Sequence, residues 1–221
     1  MIFEINKHSH TFPHPSNASE EGILGYGADL NPNRVMSAYT HGIFPWYNEG
    51  DPILWWSPDP RFVLEIKDLH IGKNLKKLIK KDMFEIKFDT AFTQVMIECA
   101  DSPRADQDGT WIIPDMIEAY SELHNQGFAH SFEAWIGDEL VGGGYGVIVG
   151  DIFCGESMFS KVSGASKVAF VSLVERLKQN GFSLIDSQIH TQYLESFGSK
   201  HITRDMYLDR VKEALSKPRD F

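Results

Sequence analysis

A chain of 221 residues, with 42% hydrophobic and 24% charged content, has room for one large domain or two modest ones and the composition of an ordinary globular protein. No apolar run approaches the roughly 20 residues of a membrane span, the start MIFEINKHSH carries no basic stretch followed by an apolar one, and only Cys99 and Cys154 occur. The reading is a protein without a secretory signal, a spanning segment or a disulfide scaffold, suited to a reducing cytoplasm. The formal net charge of −10 argues against loose, nonspecific binding to nucleic acid.

In chain order, Asn31 is a good N-cap and Pro32 suits a first helical position. A helix is therefore predicted over 31–42, with Val35, Met36 and Tyr39 on its apolar side and Gly42 closing it. The next stretch, Gly42 to Arg61, reads GIFPWYNEGDPILWWSPDPR and holds three Trp, one Tyr, one Phe and four Pro. So many prolines argue against both an amphipathic helix and a central strand. A rigid, aromatic-walled loop region is expected instead. Its rings either fill a small core or offer flat faces for a base or an apolar substrate group; three Trp among four Pro favour a shaped pocket.

Beyond it, Phe62–Ile66 reads as a short strand and 72–81 as a helix, with Leu75, Leu78 and Ile79 on one face and lysines on the other. From Arg61 to Lys87 eight basic residues oppose four acidic ones, a net +4, while the remaining chain carries −14. A polyanion that docks would dock there, although a lysine run is also what a solvated helix face looks like. Met83–Phe88 is a predicted strand, 90–100 a helix and 101–111 (DSPRADQDGTW) a loop delivering Trp111 to a strand or pocket edge. Pro114 opens a helix that Gly127 ends. SFEAWI, ELVGGGYGVIV and IFCGESMF, separated by Gly137-Asp138 and Gly150-Asp151 turns, form an antiparallel meander. A helix over 165–178 carries Phe170, Leu173, Val174 and Leu177 on one face, a strand returns over 182–188, and a last helix spans 204–215. The order predicts an α+β fold: a small N-terminal domain over 1–61, then a domain over 62–221 with helices on a mainly antiparallel sheet.

Few constellations carry chemistry. His8, His10 and His14 have no cysteine or carboxylate cluster beside them, so no metal site is expected. G-x-S-x-G is absent, and the glycines of GGGYG lie inside a strand rather than between strand and helix, where a phosphate loop would be. LIDSQIH is more informative. Asp186 and Gln188 stand at i and i+2 at a strand end, so a carboxylate and an amide share one face, ready to orient a polar substrate or simply solvated as the strand leaves the sheet. Glu156 in CGESMF is open to the same two readings.

GYGADLNPNRVMSAYTHGIFPW, DPILWWSPDPR, GTWI, ELVGGGYGV, FCGESMFS, ASK and LIDSQ, in this order between about residues 22 and 210, resemble the bacterial leucyl/phenylalanyl-tRNA–protein transferases. FPW followed by ILWWSPDPR is the most specific of these signals. The resemblance implies a small N-terminal domain joined to an acyl-CoA N-acyltransferase-like domain, with neither metal nor coenzyme A. It implies transfer of Leu or Phe, possible also for Met, from aminoacyl-tRNA to the N-terminal Lys or Arg of a protein, marking it for N-end-rule degradation, by a cytoplasmic monomer. By motif, Trp46 and Trp111 would wall the 3′-adenosine site. Phe153, Met158, Ser160, Phe170, Leu173, Leu177 and Ile185 would form the amino-acid pocket. Asp186 and Gln188 would be the catalytic pair, Glu156 a substrate-orienting carboxylate, and Lys80 and Lys81 a hold on the acceptor stem. Three departures stand out: Gly27-Ala28-Asp29-Leu30 where the family reads GGDL, and Gly144 and Leu173 where it has larger residues, which would widen the pocket.

An aminoacyl ester is already activated, and an α-amine with a reference pKa of roughly 7.7–8 is partly neutral near pH 7. Holding amine and ester together then suffices, without a covalent enzyme intermediate. An amide is no general base, so Gln188 is expected to bind the attacking amine, with Asp186 either fixing Gln188 or helping a proton to the departing ribose oxygen. An acyl-CoA-dependent N-acyltransferase and a non-catalytic module that reads N-termini are the alternatives.

Overall fold

The computed structural model describes residues 2–102 and 110–221. Strands β1 (Phe3–Glu4), β2 (Ile23–Tyr26), β3 (Phe44–Pro45) and β4 (Leu54–Trp56) make a small sheet in the order β1-β2-β4-β3, and α1 (Pro32–Thr40) connects β2 to β3. The α1 cap is as expected: the Asn31 side chain accepts from the Asn33 N–H, and Pro32 occupies the first turn. The aromatic segment corrects the expectation. Leu54–Trp56 is an inner strand, not a loop. Its prolines permit this because Pro52 and Pro58 flank β4 while Pro45 lies on an edge strand, so none interrupts the inner ladder. In the GADL turn, Ala28 takes a left-handed φ of 64°, a conformation that glycine adopts without steric cost.

The larger sheet comprises β5 (Arg61–Glu65), β6 (Glu85–Phe88), β7 (Ala129–Ile136), β8 (Glu139–Val149), β9 (Ile152–Ser160), β10 (Leu184–Gln188) and β11 (Lys200–Ile202), in the order β11-β5-β10-β9-β8-β7-β6. Only β9 and β10 pair in parallel; all other neighbours are antiparallel. The helices are α2 (Lys73–Ile79), α3 (Phe92–Asp101), α4 (Pro114–Asn125), α5 (Ala165–Gln179), α6 (Gln192–Glu195) and α7 (Arg204–Ala214). The loop predicted over 101–111 lies in large part outside the described residues. Strands β1, β2, β3 and β11 and helix α6 were not foreseen, being too short to show a period.

Two apolar cores flank this sheet. One gathers Phe170, Leu173 and Leu177 of α5 with Phe132, Phe153 and Ile185 from the strands. The other joins α3, α4 and α7 to Trp55, Val35 and Tyr39, so the small sheet and α1 share a core with the far face of the large sheet. Cys99 and Cys154 are buried in that second core. The glycines of GGGYG serve close packing. A Cβ on Gly142 would come within 2.6 Å of Ala165 Cβ, and one on Gly146 within 2.5 Å of the Phe153 ring, so α5 and the aromatic rings rest directly on the β8 backbone. Among the described residues no helix is long and apolar enough to cross a membrane.

Candidate active site

The parallel pair β9–β10 opens at one end. Leu184, Ile185 and Asp186 pair with Ile152, Phe153 and Cys154, and there the ladder stops. Past that point Gly155, Glu156 and Ser157 on β9 face Ser187 and Gln188 at the end of β10, and Ile189 just beyond it, across a cavity of about 500 Å³. A register shift of β8 on β9 between Tyr145 and Gly146 accompanies the opening. Such a bulge re-aims side chains: Glu156 bonds into the α1–α4 side, whereas Met158, two residues on, packs in the α5 core.

Glu156 Oε1 accepts from the Tyr39 hydroxyl at 2.6 Å and from Gln188 Nε2 at 2.7 Å. Tyr39 has one proton and spends it on Glu156, so at the 2.6 Å contact between Tyr39 and Tyr120 it is Tyr120 that donates. Among the described residues no hydrogen bond occupies Glu156 Oε2. Burial pushes the Glu156 pKa up to about 7; the Tyr39 bond pulls it down, and neighbouring Asp186 pushes it up.

Asp186 is built into the opposite arrangement. It is wholly buried, and Arg61 grips it with two bonds, Nε to Oδ1 at 2.8 Å and Nη2 to Oδ2 at 2.6 Å. The Tyr207 hydroxyl donates to Oδ2 at 2.7 Å, and the Gln188 backbone N–H donates to Oδ1 at 2.9 Å. Burial alone would lower the Arg61 pKa, and Asp186 more than reverses this. The shared-face expectation for Asp186 and Gln188 is modified here. The β10 ladder is irregular between them and Gln188 takes φ 61°, so the amide side chain swings to Glu156 while only its backbone N–H meets Asp186.

The cavity collects most of the residues singled out from the sequence. Trp46, Trp111, Phe153, Glu156, Met158, Ser160, Phe170, Leu173, Ile185 and Gln188 all line it. Trp46 is braced by Trp56, whose Nε1–H donates to the Trp46 carbonyl at 2.6 Å. Leu177 lies one turn beyond Leu173, buried in the α5 core and outside the lining. Asp186 also stands behind the wall rather than in it. Lys80 and Lys81 are exposed at the end of α2, where Leu75, Leu78 and Ile79 turn inward as predicted, and Leu78 packs on Gly164 just before α5. The room above Gly144 is not open: a Cβ there would lie 2.6 Å from Met158 Cγ and from Phe132 Cζ, so Phe132 and Met158 fill it.

Sequence reading missed Arg61, Tyr207 and Tyr120 and took Tyr39 for a purely apolar contact. The available signal was chemical. A buried tyrosine needs a partner for its hydroxyl, and an arginine opening an apolar strand needs a carboxylate.

Comparison with known proteins decides the family. A sequence profile described as leucyl/phenylalanyl-tRNA protein transferase matches residues 63–212, and that of the N-terminal domain of the same enzyme matches residues 28–59. The chain is 51% identical to the leucyl/phenylalanyl-tRNA–protein transferase of Sulfurimonas denitrificans, covering 96% of this chain and 92% of that protein. It is 53% identical to the one of Saccharophagus degradans, covering 96% and 87%. The chain belongs to the leucyl/phenylalanyl-tRNA protein transferase family. Among solved structures, L-PGS from Bacillus licheniformis aligns with a TM-score of 0.41 at 12% identity, covering 78% of this chain and 57% of that one. The N-terminal match takes in α1, β3 and β4 with the aromatic segment, and the other match takes in most of the cavity-bearing sheet.

Proposed function

We propose that the cavity between β9 and β10 receives the aminoacyl end of a charged tRNA and brings it to an acceptor amine held by Gln188 and Glu156. Family membership makes the protein an aminoacyltransferase that moves an amino acid from aminoacyl-tRNA to a protein N-terminus. The observation that carries the assignment of the site is a single cavity that joins an apolar wall to a hydrogen-bonded Glu156–Gln188 pair.

On this reading Phe153, Met158, Phe170, Leu173 and Ile185 take the side chain of Leu, Phe or Met, with Ser160 at the rim and Leu177 as backing. Trp46 and Trp111 stack on the 3′-adenosine. Lys80 and Lys81 meet acceptor-stem phosphates, sitting in the locally basic segment of an acidic chain. The acceptor begins with Lys or Arg, cationic side chains that suit a site holding Glu156, and the enzyme works as a cytoplasmic monomer.

The chemistry follows from placement. The neutral α-amine attacks the ester carbonyl carbon, the new N–C bond forms, the bond to the ribose oxygen breaks, and the amine proton ends on that oxygen. Gln188 offers its side-chain carbonyl to the amine N–H, and Glu156 Oε2 faces the same group. Asp186 has both oxygens engaged by Arg61, Tyr207 and the Gln188 N–H, so it orients Gln188 and does not carry the proton. Alignment of this kind is worth up to about 7–11 kcal/mol of barrier.

A release assay with labelled leucyl-tRNA, acetyl-CoA and a Lys-initiated peptide tests the reading. Labelled Leu should join the peptide, with no requirement for acetyl-CoA. Acetylation of the peptide would establish a CoA-dependent acyltransferase instead, and peptide binding without a new bond would establish a reader of N-termini.

A further inference from the structure

Arg61 stands on the first residue of β5 with only 1% of its surface exposed, and its whole donor set is directed inward. Besides the two bonds to Asp186, its Nη1 donates to the Gly42 carbonyl at 3.2 Å. Its guanidinium lies 4.4 Å from the centre of the Tyr207 ring and 4.8 Å from that of Phe44. Gly42 in turn, at φ 73°, presses its backbone on α7: a Cβ there would lie 2.7 Å from Leu208 and 3.2 Å from the Tyr207 ring. Phe44, Pro45 and Trp46, which begin two residues after Gly42, line one side of the cavity, and Gln188, two residues after Asp186, lines another.

We infer that Arg61 is a positioning residue for the transfer reaction, one buried cation that sets both the Gln188 turn, through Asp186, and the Phe44–Trp46 wall, through Gly42 and the Phe44 ring. The Gln188 conformation needs such a brace, because φ 61° is uncommon for a side chain larger than glycine and persists where its surroundings over-determine it. The brace is the Asp186 carboxylate, and its only ionic partner at contact distance among the described residues is Arg61. The inference rests on the proposed function in one respect: it takes Gln188 and the Trp46 wall to be where amine and adenosine bind.

Arg61→Lys keeps the charge but loses both the planar fork and the flat face between two rings. Transfer from leucyl-tRNA should lose about 10- to 100-fold in kcat, as a small misplacement of reacting groups does. The KM for a minimal leucyl-adenosine donor should rise, because the Phe44–Trp46 wall loosens. Amide hydrogen exchange at Gln188, read by NMR, should quicken by about tenfold or more as its acceptor becomes mobile. The kcat loss should not add to that of Gln188→Ala, because Arg61 acts on turnover through Gln188. If Arg61→Lys fails to fold, Tyr207→Phe, which removes one donor to Asp186 and keeps the ring on the guanidinium, should give smaller changes in the same directions. Wild-type kcat with unchanged exchange at Gln188, or fully additive losses in the double variant, overturns the inference. The exchange measurement needs no substrate. A wild-type protein that transfers neither Leu nor Phe, while Arg61→Lys still loosens the Gln188 amide, would defeat the proposed function and leave the brace standing.

Discussion

Two carboxylates on neighbouring strands of the same sheet live in opposite circumstances. Asp186, on β10, is wholly enclosed and has a guanidinium on both oxygens, a phenol and a backbone N–H. Glu156, on β9, has two neutral donors on one oxygen, no cation at contact distance among the described residues, and an edge open to the cavity. The first charge is matched and held still. The second is poorly matched, and burial shows as a pKa near 7. What separates structure from chemistry here is thus the supply of partners more than residue type or depth: a saturated carboxylate has no lone pair left for a substrate, and an unsaturated one does.

Deleting the matched carboxylate should have the largest effect. Asp186→Ala leaves Arg61 buried with no counter-charge, which costs about 3–5 kcal/mol, measurable by urea unfolding. Glu156→Gln should do the reverse. Its folded pKa of about 7 lies above that of the unfolded carboxyl, so ionising Glu156 costs stability. The cost is absent below about pH 4 and complete above about pH 7. The variant should therefore equal wild type in stability at pH 4 and exceed it at pH 8, by at most about 3 kcal/mol, while transfer slows. A stabilising exchange that harms activity is the mark of a group kept for function. If Asp186→Ala unfolded no more easily than Glu156→Gln at pH 8, the contrast between the two sites would be lost.

The sequence made one half of this contrast more legible than the other. Local signals carried the elements: the Asn31-Pro32 helix start, the Gly137-Asp138 and Gly150-Asp151 hairpin turns, and the i, i+3, i+4, i+7 face of Phe170, Leu173, Val174 and Leu177 all lie where expected. Motif brought ten of the singled-out residues to the cavity lining. Partnership across the chain was illegible. Arg61 and Asp186 are 125 positions apart, and nothing in the PDPR turn announces the pair. Alternation failed at the two irregular strand segments that line the cavity. At Gln188 a positive φ breaks the period of two, and at Glu156 the bulge sends Met158 to the other core. Counting prolines misjudged the aromatic segment because where a proline sits in the ladder matters more than how many there are; β4 itself contains none.

The smallest expected effect sharpens the comparison most, because it removes one donor from each carboxylate. Tyr39→Phe deletes a hydroxyl from Glu156, and Tyr207→Phe deletes one from Asp186. Each should cost about 1–3 kcal/mol, the range for a hydrogen bond to a buried carboxyl group. Their pH dependences should differ. The Tyr39 bond holds the Glu156 pKa down, so its loss raises that pKa further, and the ascending limb of transfer rate against pH should move to higher pH. Tyr120→Phe removes the far link of the same chain and should move the limb less, in the same direction. Asp186 keeps both Arg61 bonds without the Tyr207 hydroxyl, so Tyr207→Phe should lower the rate across the profile without displacing the limb. A displaced limb in Tyr207→Phe and none in Tyr39→Phe would overturn the assignment of Glu156 as the group behind that limb.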